Sequence, residues 1–146
     1  AATVAALSHD CPNIIAVKEA SGRFDQATAI LKSKRADFAA LSGEDALLLP
    51  LMSLGFEGVI SVIANVLPND YACLVKSALQ GDYPTASRIH LDWAELCKAL
   101  FEEGNPAGIK AALHAAGIIR QNTLRLPLTP VSDALYNKII GLLKLH

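Results

Sequence analysis

The stretch Asn13-Ile14-Ile15-Ala16-Val17-Lys18-Glu19-Ala20-Ser21-Gly22 decides the fold. A short apolar run ends in a lysine, and a turn of small residues follows at once. Side chains alternate along a strand, so Ile14, Ala16 and Lys18 share one face and Ile15 and Val17 the other. Both faces stay apolar up to the lysine, as in a parallel strand covered on two sides. A lysine closing such a strand has its stem in dry surroundings, where desolvation favours the neutral amine. That is the form that attacks a carbonyl and makes a Schiff base. The same spacing also fits a solvated lysine that opens a loop.

Working outward from this strand (14–18), residues 3–8 read as the tail of a preceding helix, broken by Cys11-Pro12-Asn13. Downstream, Phe24, Ala27, Ile30 and Leu31 recur at helical spacing and predict a helix over 24–34. A second strand over 38–42 runs into Ser42-Gly43-Glu44-Asp45, residues suited to a turn and a helix start. Residues 46–54 are apolar almost all round and predict a buried helix, with Pro50 an awkward presence inside it. A third strand is expected over 58–62. The order β-α-β-α-β implies a parallel sheet with helices outside it.

Beyond Pro68 the pattern turns helical. Helices are expected over 71–80 and over 83–103, the latter from Ile89, Trp93, Leu96, Cys97 and Leu100. Asn105 as N-cap and Pro106 at the first helical position should open the next helix, which runs to about Ala116. Residues 123–128 read as an extended connector. Thr129 and Pro130 are expected to cap a final helix carrying Val131, Leu135, Ile139, Leu142 and Leu143.

Composition narrows the function. The 146 residues are 52% hydrophobic with a net charge of -1, which describes one core-forming globular chain. Near-neutral charge and 5% aromatic residues argue against a nucleic-acid partner or a base-stacking surface. Cys11, Cys73 and Cys97 lie far apart and form no Cys-x-x-Cys pair, so they read as reduced, small apolar residues of a cytoplasmic protein. His9, His90, His114 and His146 show no metal-ligand spacing. No apolar run reaches the length of a membrane span, and the first residues do not resemble a signal peptide. Without an initiator methionine, the chain is expected to begin inside a longer one or after trimming.

Three βα units and a helical tail match the closing portion of a (β/α)8 barrel. Such a barrel takes about 250 residues, more than this chain has. Residues 1–67 are read as its last three βα units, and residues 68–146 as the last barrel helix and a C-terminal helical region. Three strands alone leave interior side chains such as Ile14 and Ala16 open to water, so another polypeptide segment should complete the sheet. In a barrel the carboxyl ends of the strands face the active site. Here those ends carry Lys18, Ser42-Gly43-Glu44-Asp45 and Ile60-Ser61. Lys18 is the candidate nucleophile, and Gly43 lets backbone approach a small substrate. Glu44 and Asp45 either accept a substrate hydrogen bond or cap the following helix.

Four segments in register then carry a resemblance: residues 15–22 (Ile-Ala-Val-Lys-Glu-Ala-Ser-Gly), 41–45 (Leu-Ser-Gly-Glu-Asp), 58–62 (Gly-Val-Ile-Ser-Val) and 123–130 (Thr-Leu-Arg-Leu-Pro-Leu-Thr-Pro). Together they resemble the C-terminal half of the dihydrodipicolinate synthase family, within the N-acetylneuraminate lyase superfamily of class I aldolases. The resemblance implies a pyruvate-dependent lyase that condenses pyruvate with aspartate semialdehyde, the entry to diaminopimelate and lysine. It implies Lys18 as the Schiff-base lysine, Ile60 as the residue of the last barrel strand against bound pyruvate, and Gly43 as a glycine lining the pocket. It implies homo-oligomers and no metal or organic cofactor.

The family's proton-relay tyrosine, paired threonines and carboxylate-binding arginine precede the lysine strand and have no counterpart here. Tyr71, Tyr83 and Tyr136 fall in helices after the strands. Positioned proton transfer is worth about 10²–10⁴-fold, so the chain by itself is expected to be inactive or nearly so. Two other readings stand beside the synthase. One is a non-catalytic half-barrel that pairs with a copy of itself or with the missing half of the barrel. The other is a related 2-keto-acid aldolase such as N-acetylneuraminate lyase.

Overall fold

Three parallel strands, β1 (Ala16–Glu19), β2 (Ala39–Ser42) and β3 (Gly58–Val59), form one sheet in the order β1-β2-β3. The computed structural model describes residues 1–144. Lys18 pairs with Leu41 and Leu41 with Gly58, while Glu19, Ser42 and Val59 form the next rung. Helices separate the strands: α1 (Ala2–Asp10) before β1, α2 (Phe24–Ser33) between β1 and β2, and α3 (Leu48–Leu54) between β2 and β3. The α/β class and the parallel sheet agree with the reading of the sequence.

By its internal contacts the chain forms two compact units, residues 1–61 with 73–87 and residues 62–72 with 88–146. In the first, the sheet and its helices share an apolar layer. Ala27, Ala40, Leu51 and Phe56 are buried together, and Val17, Leu31 and Leu47 pack against them. The start of α2 follows from its sequence, which places Ala27 and Ile30 on one buried stripe. Arg35 ties α1 to the segment before β2, since its guanidinium bonds the Ser8 carbonyl and the Asp37 carboxylate.

The second unit is helical. It holds a 3-10 turn (Ile63–Asn65), α6 (Ala94–Ala99), α7 (Ala107–Ala115) and α8 (Asp133–Lys144), with α8 packed on both α6 and α7. Two further helices, α4 (Pro68–Leu79) and α5 (Tyr83–Asp92), contribute residues to both units. Trp93 is buried and donates its indole N–H to Asp70 Oδ2 at 2.7 Å. No helix among the described residues is long and apolar enough to cross a membrane.

Several boundaries differ from expectation. β1 is closed by Glu19 rather than Lys18, because the Glu19 carbonyl still accepts the Gly43 N–H at 2.7 Å. β3 spans two residues instead of five, since its partner β2 ends at Ser42 and the backbone becomes helical at Val62. The helix expected over 83–103 is interrupted at Trp93, although Trp93 N–H still bonds the Ile89 carbonyl and Cys97 N–H the Trp93 carbonyl. Pro50 is accommodated as the third residue of α3, where N–H groups lack intrahelical acceptors anyway.

Neither expected cap of the last helices forms. α7 begins after Pro106, with no side-chain cap bond at its N-terminus. α8 begins at Asp133 and is capped by Ser132, whose Oγ accepts the Leu135 N–H at 3.3 Å. Ser132 is in turn gripped by the Glu103 carboxylate through its own N–H and hydroxyl.

Candidate functional site

Parallel pairing in register brings the carboxyl ends of β1, β2 and β3 to one edge of the sheet, and the three singled-out residues with them. Lys18 shares its rung with Leu41 and projects from the face opposite Val17. Gly43 follows β2 and is held beside β1 by its N–H bond to the Glu19 carbonyl. Ile60 follows β3, donates its N–H to the Ser42 carbonyl at 2.8 Å, and is 49% exposed.

Lys18 and Gly43 are in intimate register. A Cβ on Gly43 would lie 2.9 Å from Lys18 Cε, 3.1 Å from Lys18 Cγ and 2.5 Å from Ala20 Cβ. The lysine stem therefore runs over the bare α-carbon of Gly43. The dry setting expected for that stem is absent among the described residues. The Lys18 side chain is exposed: among the described residues no layer covers its face of the sheet, whereas α2 and α3 cover the other. Ile15, which lies on the Val17 face and is expected to be covered, is 67% exposed, and Ile14 and Ala16, expected to stand open to water, are half-buried. Lys18 Nζ has no ion-pair or hydrogen-bond partner among the described residues, so no protein carboxylate neutralises or blocks it.

A carboxylate that the sequence reading passed over supports this edge. Glu19 is 7% exposed and accepts hydrogen bonds from the Ser21 N–H at 2.7 Å and the Gln26 side-chain amide at 3.0 Å. Burial works to raise its carboxyl pKa, but the Ser21 and Gln26 donors outweigh it and hold the group below the ordinary carboxylate range. Glu19 thus ties the end of β1, the following turn and the first turns of α2 together. Gly22 takes φ 71° in that turn, a left-handed conformation suited to glycine. The signal was present in the sequence. Period two places Glu19 on the face of Val17, where a carboxylate needs donors, and Gln26 lies just inside the next helix.

Ser42 performs the same service for β2. Its buried hydroxyl donates to the Glu44 carbonyl at 2.8 Å and accepts the Glu44 N–H at 3.1 Å. The side chain of Glu44 makes no cap bond to the 3-10 turn that follows (Asp45–Leu47), and Asp45 is buried.

The remaining candidates lie elsewhere in the chain. Tyr71 is buried, its hydroxyl 2.8 Å from Cys97 Sγ, and the Tyr136 hydroxyl lies 2.7 Å from His114 Nδ1. Burial pushes the His90 imidazole pKa down. His146 lies outside the described residues. Among the described residues no three His, Cys, Asp or Glu side chains converge as metal ligands. Cys97 is buried, but Cys73 is exposed and does not pack as an apolar residue.

Residues 1–145 match the model of the dihydrodipicolinate synthetase family. The 4-hydroxy-tetrahydrodipicolinate synthase of Azobacteroides pseudotrichonymphae is 49% identical over 133 residues, covering 91% of this chain and 45% of the relative. The crystal structure of dihydrodipicolinate synthase from Aquifex aeolicus superposes with a TM-score of 0.94 at 40% identity, over 99% of this chain and 49% of that one. A chloride-inhibited dihydrodipicolinate synthase from Acinetobacter baumannii, solved in complex with pyruvate, gives a TM-score of 0.91 at 34% identity, over 98% of this chain and 48% of that one. The chain spans about half the length of the relatives it matches.

Proposed function

The chain belongs to the dihydrodipicolinate synthetase family, and from that premise we propose that it supplies the imine-forming lysine of a pyruvate-dependent lyase. In this reading its three strands are the last three of a (β/α)8 barrel. Residues 1–67 form the barrel portion, and residues 68–146 the last barrel helix and C-terminal helical region. The amine of Lys18 attacks the keto carbon of pyruvate, and loss of water leaves an imine. The protonated imine draws electrons from the adjacent methyl group, which gives up a proton to form an enamine. The enamine carbon then attacks the aldehyde of aspartate semialdehyde.

Gly43 and Ile60 border the bound pyruvate in this scheme. No metal or organic cofactor takes part, because the imine is itself the electron sink. The complementing strands, and the tyrosine that relays protons, come from the segment that precedes this half in the relatives. The working enzyme is a cytoplasmic homo-oligomer.

One observation carries the reading. An amine with no partner among the described residues stands at the carboxyl edge of a parallel sheet, its stem over the bare α-carbon of Gly43, with Ile60 at the same edge two strands away. Incubation with pyruvate followed by borohydride tests it. The expected result is one reduced-pyruvate adduct, localised to Lys18 by peptide mass spectrometry and abolished in Lys18→Ala. An adduct spread over several lysines, or none in a folded sample, overturns it.

A further inference from the structure

Gly43 has a second role that rests on the Schiff-base reading of Lys18. Its backbone is not left-handed, so the requirement for glycine is one of room rather than of φ. The room is taken by two neighbours of different stiffness. Ala20 Cβ, 2.5 Å from a Cβ on residue 43, is fixed to the backbone and yields only if the β1–α2 turn moves. Lys18 Cε, at 2.9 Å, belongs to a flexible stem and yields by rotation. Gly43 itself cannot retreat without breaking its 2.7 Å bond to the Glu19 carbonyl. Any side chain at 43 therefore presses on the turn at Ala20 and on the lysine stem at Cε and Cγ, and the stem is the part that yields by rotation.

We propose that Gly43 is a positioning residue for Lys18, its bare α-carbon forming the floor of a slot that sets where the lysine amine stands. A side chain there misdirects the nucleophile even when the sheet is intact. Displacing a reacting atom by about 1 Å costs on the order of 10²-fold in rate.

Three variants of the full chain test this: Gly43→Ala, Ala20→Gly, and the double variant Ala20→Gly/Gly43→Ala. The double variant removes the stiff clash and leaves the flexible one, so it separates positioning from folding. Two measurements are read. One is the limiting rate and half-saturation of borohydride-trapped pyruvate at Lys18. The other is the Lys18 side-chain conformation in crystals without pyruvate.

Ala20→Gly should trap at the parent rate. The double variant should keep the parent's thermal midpoint and half-saturation while its limiting rate falls about 10²-fold, with Lys18 in a different rotamer. The inference is overturned if the double variant traps at the parent rate, if Lys18 keeps its parent rotamer, or if Ala20→Gly alone loses as much. If the parent chain itself traps no pyruvate, the Schiff-base reading fails. The positioning inference is then decided by the rotamer comparison alone.

Discussion

The two faces of the three-stranded sheet are in different states of completion. On one, Val17 and Ala40 are sealed by Ala27, Leu51 and Phe56 of the helical layer and its connections. On the other, Lys18 is exposed and Ile60, just past β3, is half-exposed. The strands are the same, so the difference lies in what covers them. The sealed face provides the stability of the first unit, and the open face holds its reactive groups. Chemistry and stability can therefore be perturbed separately, which neither face would permit if both were packed alike.

The largest effect is expected on the sealed side. Phe56→Ala removes a side chain that is 2% exposed and should cost about 3–5 kcal/mol, read from urea or thermal unfolding of the first unit. A cost as small as that of a surface substitution would mean that the sealed layer is not the one holding the sheet.

Next comes the carboxylate at the end of the sealed face. Glu19→Gln keeps the shape but sets an amide against one of two donors, Ser21 N–H or the Gln26 amide, and should cost about 1–3 kcal/mol. The exchange Glu19→Gln/Gln26→Glu restores complementary partners and should recover most of that. The acid dependence follows from the lowered pKa of Glu19. A carboxyl whose folded pKa lies below its unfolded value stabilises the fold above the unfolded value, ordinarily 4.5, and loses that contribution as pH falls through the folded one. Urea midpoints measured downward from pH 5 should therefore drop in the parent, and this component should be missing in Glu19→Gln.

The smallest effect belongs to the open face. Lys18→Ala should change stability by no more than about 0.5 kcal/mol while removing the pyruvate adduct altogether. A large loss of stability there would erase the contrast between the faces.

Much of this organisation is written locally in the sequence. The apolar runs reaching Lys18 and Ser42 mark the ends of β1 and β2 to within one residue, and Gly43 signals close approach, because each feature depends on neighbouring residues alone. The features that escaped are those decided at a distance. Glu19 finds a donor seven residues on, and its meaning depends on which face is sealed. The cap of α8 falls on Ser132 rather than Thr129, because Glu103 from 29 residues upstream grips it. The interruption at Trp93 is invisible to periodicity, since the apolar spacing runs straight through it while the tryptophan's indole bonds Asp70, 23 residues upstream. The sequence leaves the exposure of Lys18 open between a dry and a solvated lysine: a strand's pattern states which faces are meant to be covered, and the covering layer is not encoded in the strand.

Trp93 is the sole tryptophan of the chain, and it sits buried in the second unit, which also holds the buried Tyr71 and the half-buried Tyr136. Intrinsic emission therefore reports on the helices and is blind to the sheet. Of the chain's tyrosines the first unit holds only Tyr83, which is partly exposed. An unfolding curve followed by fluorescence alone would assign the helical unit's transition to the whole molecule. Far-ultraviolet dichroism, or a dye placed on exposed Cys73, is needed to watch the half that carries the amine.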